Sequence, residues 1–113
     1  MPSSSPVLHL LCGKIAAGKS TLAASLARDE GAVLVSEDAW LFALFDDQLS
    51  SGADYARCAA KLRHVMGPHI ASLLRAGVSV VLDFPANTLE TRRWMRGILA
   101  GTDADHRLHL LRT

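Results

Sequence analysis

The chain has 113 residues, 50% of them apolar and 20% charged, and its 12 Lys and Arg against 11 Asp and Glu leave a formal net charge of +1. This length predicts a single domain, and the composition is typical of a globular protein rather than a disordered, collagen-like or membrane-spanning chain. The near-neutral charge does not favour non-specific binding to nucleic acids or to membrane surfaces.

The N-terminal part of the chain is predicted to form a strand followed by a helix. Residues 1–6 are rich in Ser and Pro, carry no secretory-signal pattern and are predicted to be a flexible N-terminus. The apolar run at 7–12 predicts a strand that is buried on both faces of a parallel sheet. Helical spacing follows, and Gly31 is the predicted stop of this first helix.

The middle of the chain alternates strands and helices. A second strand is predicted at 32–36, and Ser36 can cap a short helix behind it. The polar segment 46–54 is predicted to be a loop. The apolar positions that begin at Tyr55 have a helical period, which Pro68 is expected to interrupt with a kink or a break. β-branched residues predict a third strand at 78–83.

The C-terminal part completes an alternating α/β pattern. Asn87 and Glu90 can form a capping box for a helix that runs to about Ala100, and 106–111 is predicted to be a fourth strand. This order predicts a mostly parallel sheet of about four strands with helices on both faces. Residues 7–113 are therefore expected to form one three-layer α/β domain.

Residues 13–21 match the pattern G-x-x-x-x-G-K-[ST], the phosphate-binding P-loop. Such a loop curls so that its backbone N–H groups converge on phosphates, and it leads into a helix N-terminus that favours anions. Lys19 is expected to reach the β and γ phosphates, and the Ser20 hydroxyl to ligate Mg²⁺. The predicted nucleotide-binding residues are Gly13, Lys14, Ile15, Ala16, Ala17, Gly18, Lys19, Ser20 and Thr21.

Acidic residues follow the second and third predicted strands. Ligands of an open parallel sheet bind at the carboxyl ends of its strands, so these acids should lie beside the P-loop. Asp83 is predicted to support the Mg²⁺ ion, although a strand-end Asp can also simply cap the next turn. Asp38 is predicted to accept the proton of an attacking hydroxyl, with Glu37 as the second candidate. The alternative for both is stabilisation of a helix N-terminus.

These motifs resemble those of small P-loop kinase-like ATP-binding proteins. This broad group of AAA-domain P-loop NTPases includes polynucleotide kinases, zeta toxins and chloramphenicol phosphotransferases. The resemblance implies ATP and Mg²⁺ as cofactors and transfer of the γ-phosphoryl group to a hydroxyl of a small molecule. It also implies that Asp38 acts as the base and that Asp83 supports the metal, which makes Lys19 and Asp38 the candidate catalytic residues. The segments that carry the resemblance are 11–22, 35–38, 81–84, 87–88 and 92–94.

Two departures from the family pattern leave other functions open. Polynucleotide kinases commonly have an arginine three residues after the base, where this chain has Leu41. The chain also ends at Thr113, before the lid helix, fifth strand and adenine-contacting loop of such kinases. The alternatives are a nucleotide-binding module without turnover and a 5′-hydroxyl polynucleotide kinase. A second copy of the chain could cover the exposed sheet edge.

Other residues with functional potential are predicted to be structural. The five histidines show no metal-ligand pattern, and His9 and His109 fall within strands as satisfied core or edge residues. Cys12 and Cys58 lack metal spacing and are too few for a disulfide scaffold, so we expect a reducing compartment, the cytoplasm. A solvated basic helix face is predicted for Arg92, Arg93 and Arg96. Core packing is predicted for Trp40, Phe42, Phe45 and Trp94.

Overall fold

Four parallel strands form one sheet in the computed structural model, which describes residues 5–12, 18–84 and 89–110. The strands are β1 (Val7–Cys12), β2 (Val33–Ser36), β3 (Val80–Asp83) and β4 (Asp105–Leu110), in the spatial order β2-β3-β1-β4. The helices are α1 (Lys19–Glu30), α2 (Glu37–Phe45), α3 (Gly52–Arg75) and α4 (Leu89–Ala100), and a 3₁₀ turn spans Asp46–Gln48. The element order predicted from the sequence is therefore confirmed.

Side chains of the two central strands alternate between two hydrophobic cores, as the period of a strand requires. Leu10 of β1 and Leu82 of β3 belong to the larger core, which α3 and α4 cover. Leu11 and Val81 face the other side and pack with Ala23 of α1 in a smaller core. The sheet is thus covered on both faces, which confirms the predicted three-layer α/β architecture.

The parallel pairing brings the carboxyl ends of β2 and β3 together. The Cα atoms of Ser36 and Asp83 are paired in register at the last residue of each strand. Glu37 begins α2 directly after Ser36, so the first turn of α2 stands beside the end of β3. This edge of the sheet is where an open α/β sheet binds its ligands.

Helix α3 runs unbroken through Pro68, so the predicted break into two helices is wrong, whereas a kink at Pro68 stays a prediction. A proline cannot donate to the carbonyl of the residue four positions earlier, which here is His64. Both residues are exposed, so water can satisfy that carbonyl, while Gly67 and Ile70 anchor the same stretch in the core. Gly67 also lacks the Cβ atom that clashes most when a residue precedes proline in a helix.

The boundaries of several elements differ from the predicted ones by a few residues. β2 and β3 begin later than predicted, at Val33 and Val80, and α3 begins earlier, at Gly52. Residues 1–4 of the predicted flexible N-terminus and the predicted cap Asn87 lie outside the described residues. The carbonyl of Pro6 accepts a hydrogen bond of 3.0 Å from the Asp105 N–H. Among the described residues, none of the helices combines the length and apolarity needed to cross a bilayer.

His9 is fully buried in β1 and has a hydrogen-bonding partner on each ring nitrogen. Its Nδ1 lies 3.0 Å from Nε2 of His109 on β4, and its Nε2 lies 3.0 Å from Oε1 of Glu30 at the end of α1. Burial lowers the pKa of His109, and the neighbouring His9 lowers it further. The prediction that these strand histidines are satisfied structural residues is confirmed.

Candidate active site

Lys19 and Asp83 form an ion pair at the carboxyl edge of the sheet. Gly18 adopts a left-handed backbone conformation with φ of 82°, which favours glycine, and α1 begins at the next residue. Nζ of Lys19 lies 3.6 Å from Oδ1 of Asp83, and the two side chains are only 16% and 11% exposed. The lysine predicted to bind phosphate and the acid predicted to support the metal therefore lie together, although they are far apart in sequence.

The hydroxyl residues of the motif lie in the first turn of α1. Ser20 and Thr21 are exposed there, close to the unpaired N–H groups of the helix N-terminus. The other predicted nucleotide-binding residues, 13–17, lie outside the described residues. In the described ranges, no group of three His, Cys, Asp or Glu side chains is arranged to hold a metal ion.

The side chains of Ser20 and Asp83 supply oxygen atoms of the kind that Mg²⁺ binds. Mg²⁺ prefers oxygen ligands and commonly takes one or two from the protein, with water and substrate phosphates supplying the rest. Ser20 offers a hydroxyl at the start of α1, and Asp83 offers a carboxylate beside Lys19. Two protein oxygens next to a lysine suit an ion that is shared with a phosphate chain.

The first turn of α2 carries one exposed and one buried carboxyl group. Ser36 caps this helix, since its Oγ accepts a hydrogen bond of 3.4 Å from the Ala39 N–H. Asp38 is exposed, whereas Glu37 is 1% exposed. The hydroxyl of Tyr55, near the start of α3, lies 2.9 Å from Oε1 of Glu37 and 3.1 Å from Oδ1 of Asp38. The base candidate Asp38 is thus hydrogen-bonded to a residue of α3.

The buried carboxyl of Glu37 sits among groups of both charges. Burial raises the pKa of Glu37, against the lowering effects of the Tyr55 hydrogen bond and the Arg63 charge. Nη1 of Arg63 lies 3.5 Å from Oε2 of Glu37, and Lys19 is close enough to lower this pKa slightly. Burial also raises the pKa of Tyr55, as do both carboxyl groups, so the phenol keeps its proton in the neutral range.

The structure joins some of the predicted site residues directly and leaves others apart. Lys19 contacts Asp83, and Asp38 contacts Tyr55. Among the described contacts, no hydrogen bond or ion pair links Asp38 to Lys19 or Asp83. Sequence reasoning missed Tyr55 and Arg63, both of which reach the first turn of α2 from α3.

The other residues singled out in the sequence differ in how deeply they are buried. Leu41, at the position where polynucleotide kinases commonly have an arginine, is 1% exposed and belongs to the larger core. Phe45 and Trp94 pack against the same core, as predicted. The core prediction is wrong for Trp40 and Phe42, which are 40% and 69% exposed. The arginines of α4 are exposed, namely Arg92, Arg93 and Arg96.

The fold is that of a small P-loop kinase-like protein. The sequence profile of the AAA domain family AAA_33 matches residues 8–113, and the chain belongs to this family. No curated protein matches the chain.

Solved structures with the same fold include kinases. A "putative kinase from Chloroflexus aurantiacus J-10-fl" is 24% identical to this chain, with a TM-score of 0.76; the match covers 95% of this chain and 59% of that one. The APS kinase CysC of Mycobacterium tuberculosis is 22% identical, with a TM-score of 0.66 and coverage of 95% and 76%. A chain of the Pnkp1/Rnl/Hen1 complex is 24% identical, with a TM-score of 0.70 and coverage of 96% and 36%.

Proposed function

We propose that the chain is an ATP- and Mg²⁺-dependent kinase that transfers the γ-phosphoryl group to a hydroxyl of a small molecule. The observation that carries this proposal is the pairing of Lys19 with Asp83, 3.6 Å apart, at the edge where α2 presents Asp38. A phosphate-binding lysine, a metal-supporting acid and a base candidate are the parts that phosphoryl transfer requires.

Each part has a separate role in the proposed reaction. Residues 13–21 hold the phosphate chain, and Lys19 offsets the negative charge of the β and γ phosphates. Asp38 takes the proton of the acceptor hydroxyl as the acceptor oxygen bonds to the γ phosphorus. The bond from that phosphorus to the bridging oxygen breaks, and its electron pair leaves with ADP. Ser20 and Asp83 would hold Mg²⁺, which when bound neutralises charge on the phosphates.

The residue beside Asp83 and the exposure of Asp38 support phosphoryl transfer to an acceptor rather than hydrolysis of ATP. Phe84, which directly follows Asp83, is fully buried, so no carboxylate at that position can orient an attacking water. Asp38 is exposed and can meet an acceptor from solvent. One structure of similar fold, 23% identical, is the APS kinase CysC of Mycobacterium tuberculosis in complex with AMPPNP and APS. It is consistent with a nucleotide and a small acceptor at this edge.

The experiment that tests this proposal measures transfer from γ-labelled Mg-ATP to a panel of nucleosides, monosaccharides and a 5′-hydroxyl oligonucleotide. Labelling of a small molecule that is lost in Asp38→Asn is the expected result. Labelling of the oligonucleotide alone would favour the polynucleotide kinase instead. Binding of Mg-ATP without labelling of any compound would favour a nucleotide-binding module without turnover.

A further inference from the structure

The hydroxyl of Tyr55 lies between two carboxyl groups of the neighbouring helix. Its oxygen is 2.9 Å from Oε1 of Glu37 and 3.1 Å from Oδ1 of Asp38. Glu37 is 1% exposed and Asp38 is exposed. One side chain of α3 therefore connects a buried carboxyl group to one that faces solvent.

The number of protons limits how these three groups can bond. A phenol has one O–H to donate, and an ionised carboxylate can only accept. If both carboxyls were ionised, only one of the two short contacts could be a hydrogen bond. Both contacts become favourable when Glu37 carries a proton, because Glu37 then donates to Tyr55 and Tyr55 donates to Asp38.

The surroundings of Glu37 determine where that proton resides. The charged groups that face it are Arg63 on α3, Asp38 on α2 and Lys19 on α1. Burial is the largest influence on Glu37 and raises its pKa, whereas Arg63 and Lys19 oppose that change. Burial thus makes ionisation of Glu37 less favourable than in water, and Arg63 and Lys19 offset part of that cost.

We propose that Tyr55 is a positioning residue for phosphoryl transfer, its hydroxyl holding Asp38 in place while Glu37 fixes that hydroxyl from the buried side. The inference rests on the proposed function, in which Asp38 accepts the proton of the acceptor. An exposed aspartate on a helix samples several rotamers unless a partner restrains it. Because Oδ1 accepts from Tyr55, the second carboxylate oxygen of Asp38 is left to face the acceptor hydroxyl.

The first test is a titration that does not depend on activity. Tyr55 is the only tyrosine of the chain, so tyrosinate absorbance reports this one hydroxyl. The expected titration midpoint is above the usual value of about 10, and Glu37→Gln and Asp38→Asn should each lower it, because both carboxyl groups raise the pKa of Tyr55. The control is Asp54→Asn, whose carboxylate bonds to Ser50 instead and should leave the midpoint unchanged. Identical midpoints in wild type, Glu37→Gln and Asp38→Asn would overturn the inference.

The second test is kinetic and uses the compound of the panel that is labelled fastest. Tyr55→Phe keeps the ring and removes the hydroxyl, so kcat should fall about tenfold, the loss expected for one hydrogen bond in the transition state. The KM for Mg-ATP and the circular dichroism spectrum should stay unchanged, and Asp54→Asn should transfer at the wild-type rate. An unchanged kcat in Tyr55→Phe would overturn the positioning role.

The two tests separate this inference from the proposed function. If Asp38→Asn abolishes transfer while Tyr55→Phe has no effect, the proposed function stands and the role of Tyr55 is wrong. If Asp38→Asn transfers at the wild-type rate, the proposed base is wrong, and the kinetic role of Tyr55 falls with it. The titration alone decides whether the hydroxyl links the two carboxyl groups.

Discussion

Breaking the ion pair between Lys19 and Asp83 should destabilise the fold through the partner that is left behind. The two side chains are 16% and 11% exposed, with Nζ and Oδ1 3.6 Å apart. Lys19→Met leaves the Asp83 carboxylate mostly buried without its cation, and Asp83→Asn leaves the Lys19 ammonium in the same position. The double variant removes both charges at once, so it should be less destabilised than the two single losses together.

The size of this effect follows from the distance and the burial. At an effective dielectric constant of about 20, two unit charges at the 3.6 Å separation attract each other by about 4–5 kcal/mol. Desolvation of both groups offsets part of this attraction, so the net interaction energy should be about 1–3 kcal/mol. Each single variant should lose about 2–4 kcal/mol, since it leaves one uncompensated charge.

Urea unfolding of the wild type and the three variants measures this interaction energy directly. A matched control is the pair of Arg28 and Asp29, whose side chains are 74% and 66% exposed with Nε and Oδ1 3.2 Å apart. That cycle, Arg28→Gln with Asp29→Asn, should show little or no coupling because solvent screens exposed charges. Additive losses for Lys19→Met and Asp83→Asn would refute the reasoning, because the two groups would then act independently.

Three further predictions concern the packing of α3 on α4 and the histidine contact. Trp94→Phe removes the 2.9 Å hydrogen bond from Nε1 to the Arg63 carbonyl. The free energy of unfolding, measured in urea, should therefore fall by about 1–3 kcal/mol. An equal fall in Trp40→Phe, at an exposed position, would contradict this. Gly67→Ala places a Cβ 3.0 Å from Nε1 of Trp94, so it should destabilise the wild type more than Trp94→Leu, where only the clash with Pro68 remains. The same loss in both backgrounds would show that the contact is unimportant. His109 has a lowered pKa, so its contribution to stability is complete above the unfolded value of 6.5 and is lost as the pH falls through the folded value. The melting temperature between about pH 7 and 5 should therefore fall less steeply in His109→Gln, and parallel curves would argue against the shift.

The sequence predicted the structure correctly where the evidence lay within one short segment of the chain. The apolar runs of β1 and β3 predicted central strands because a strand covered on both faces has little polar surface. The strand-end position of Asp83 and the helix-start position of Lys19 predicted that these residues would meet, since parallel strands share one carboxyl edge. The structure has the two side chains 3.6 Å apart.

The parts that the sequence did not predict depend on contacts between distant segments. Tyr55 fitted the apolar stripe of α3 and gave no sign that its hydroxyl would reach Asp38 on another helix. The one general signal was that a tyrosine within an apolar helical stripe usually needs a polar partner for its hydroxyl. Pro68 predicted a break because local rules treat it without its neighbours, whereas packing of Gly67 and Ile70 in the core keeps α3 continuous.

The apolar residues of α2 show that composition can also predict more burial than the structure has. Their composition predicted core packing, and Leu41 is buried accordingly. Trp40 and Phe42 are exposed, because a nine-residue helix at the edge of the sheet can turn only one narrow face inward. Hydrophobicity alone therefore overestimated how much of this helix is buried.

Calorimetric titration with Mg-ATP tests the central claim most directly, because nucleotide binding by Lys19 underlies every proposed role. The wild-type chain should bind Mg-ATP, and Lys19→Met should lose at least about tenfold in affinity, since an ammonium at the phosphates contributes more than 1.4 kcal/mol. Lys61→Met, at an exposed position of α3, should bind like the wild type. Equal affinity in the wild type and in Lys19→Met, at a temperature where both are folded, would contradict the account.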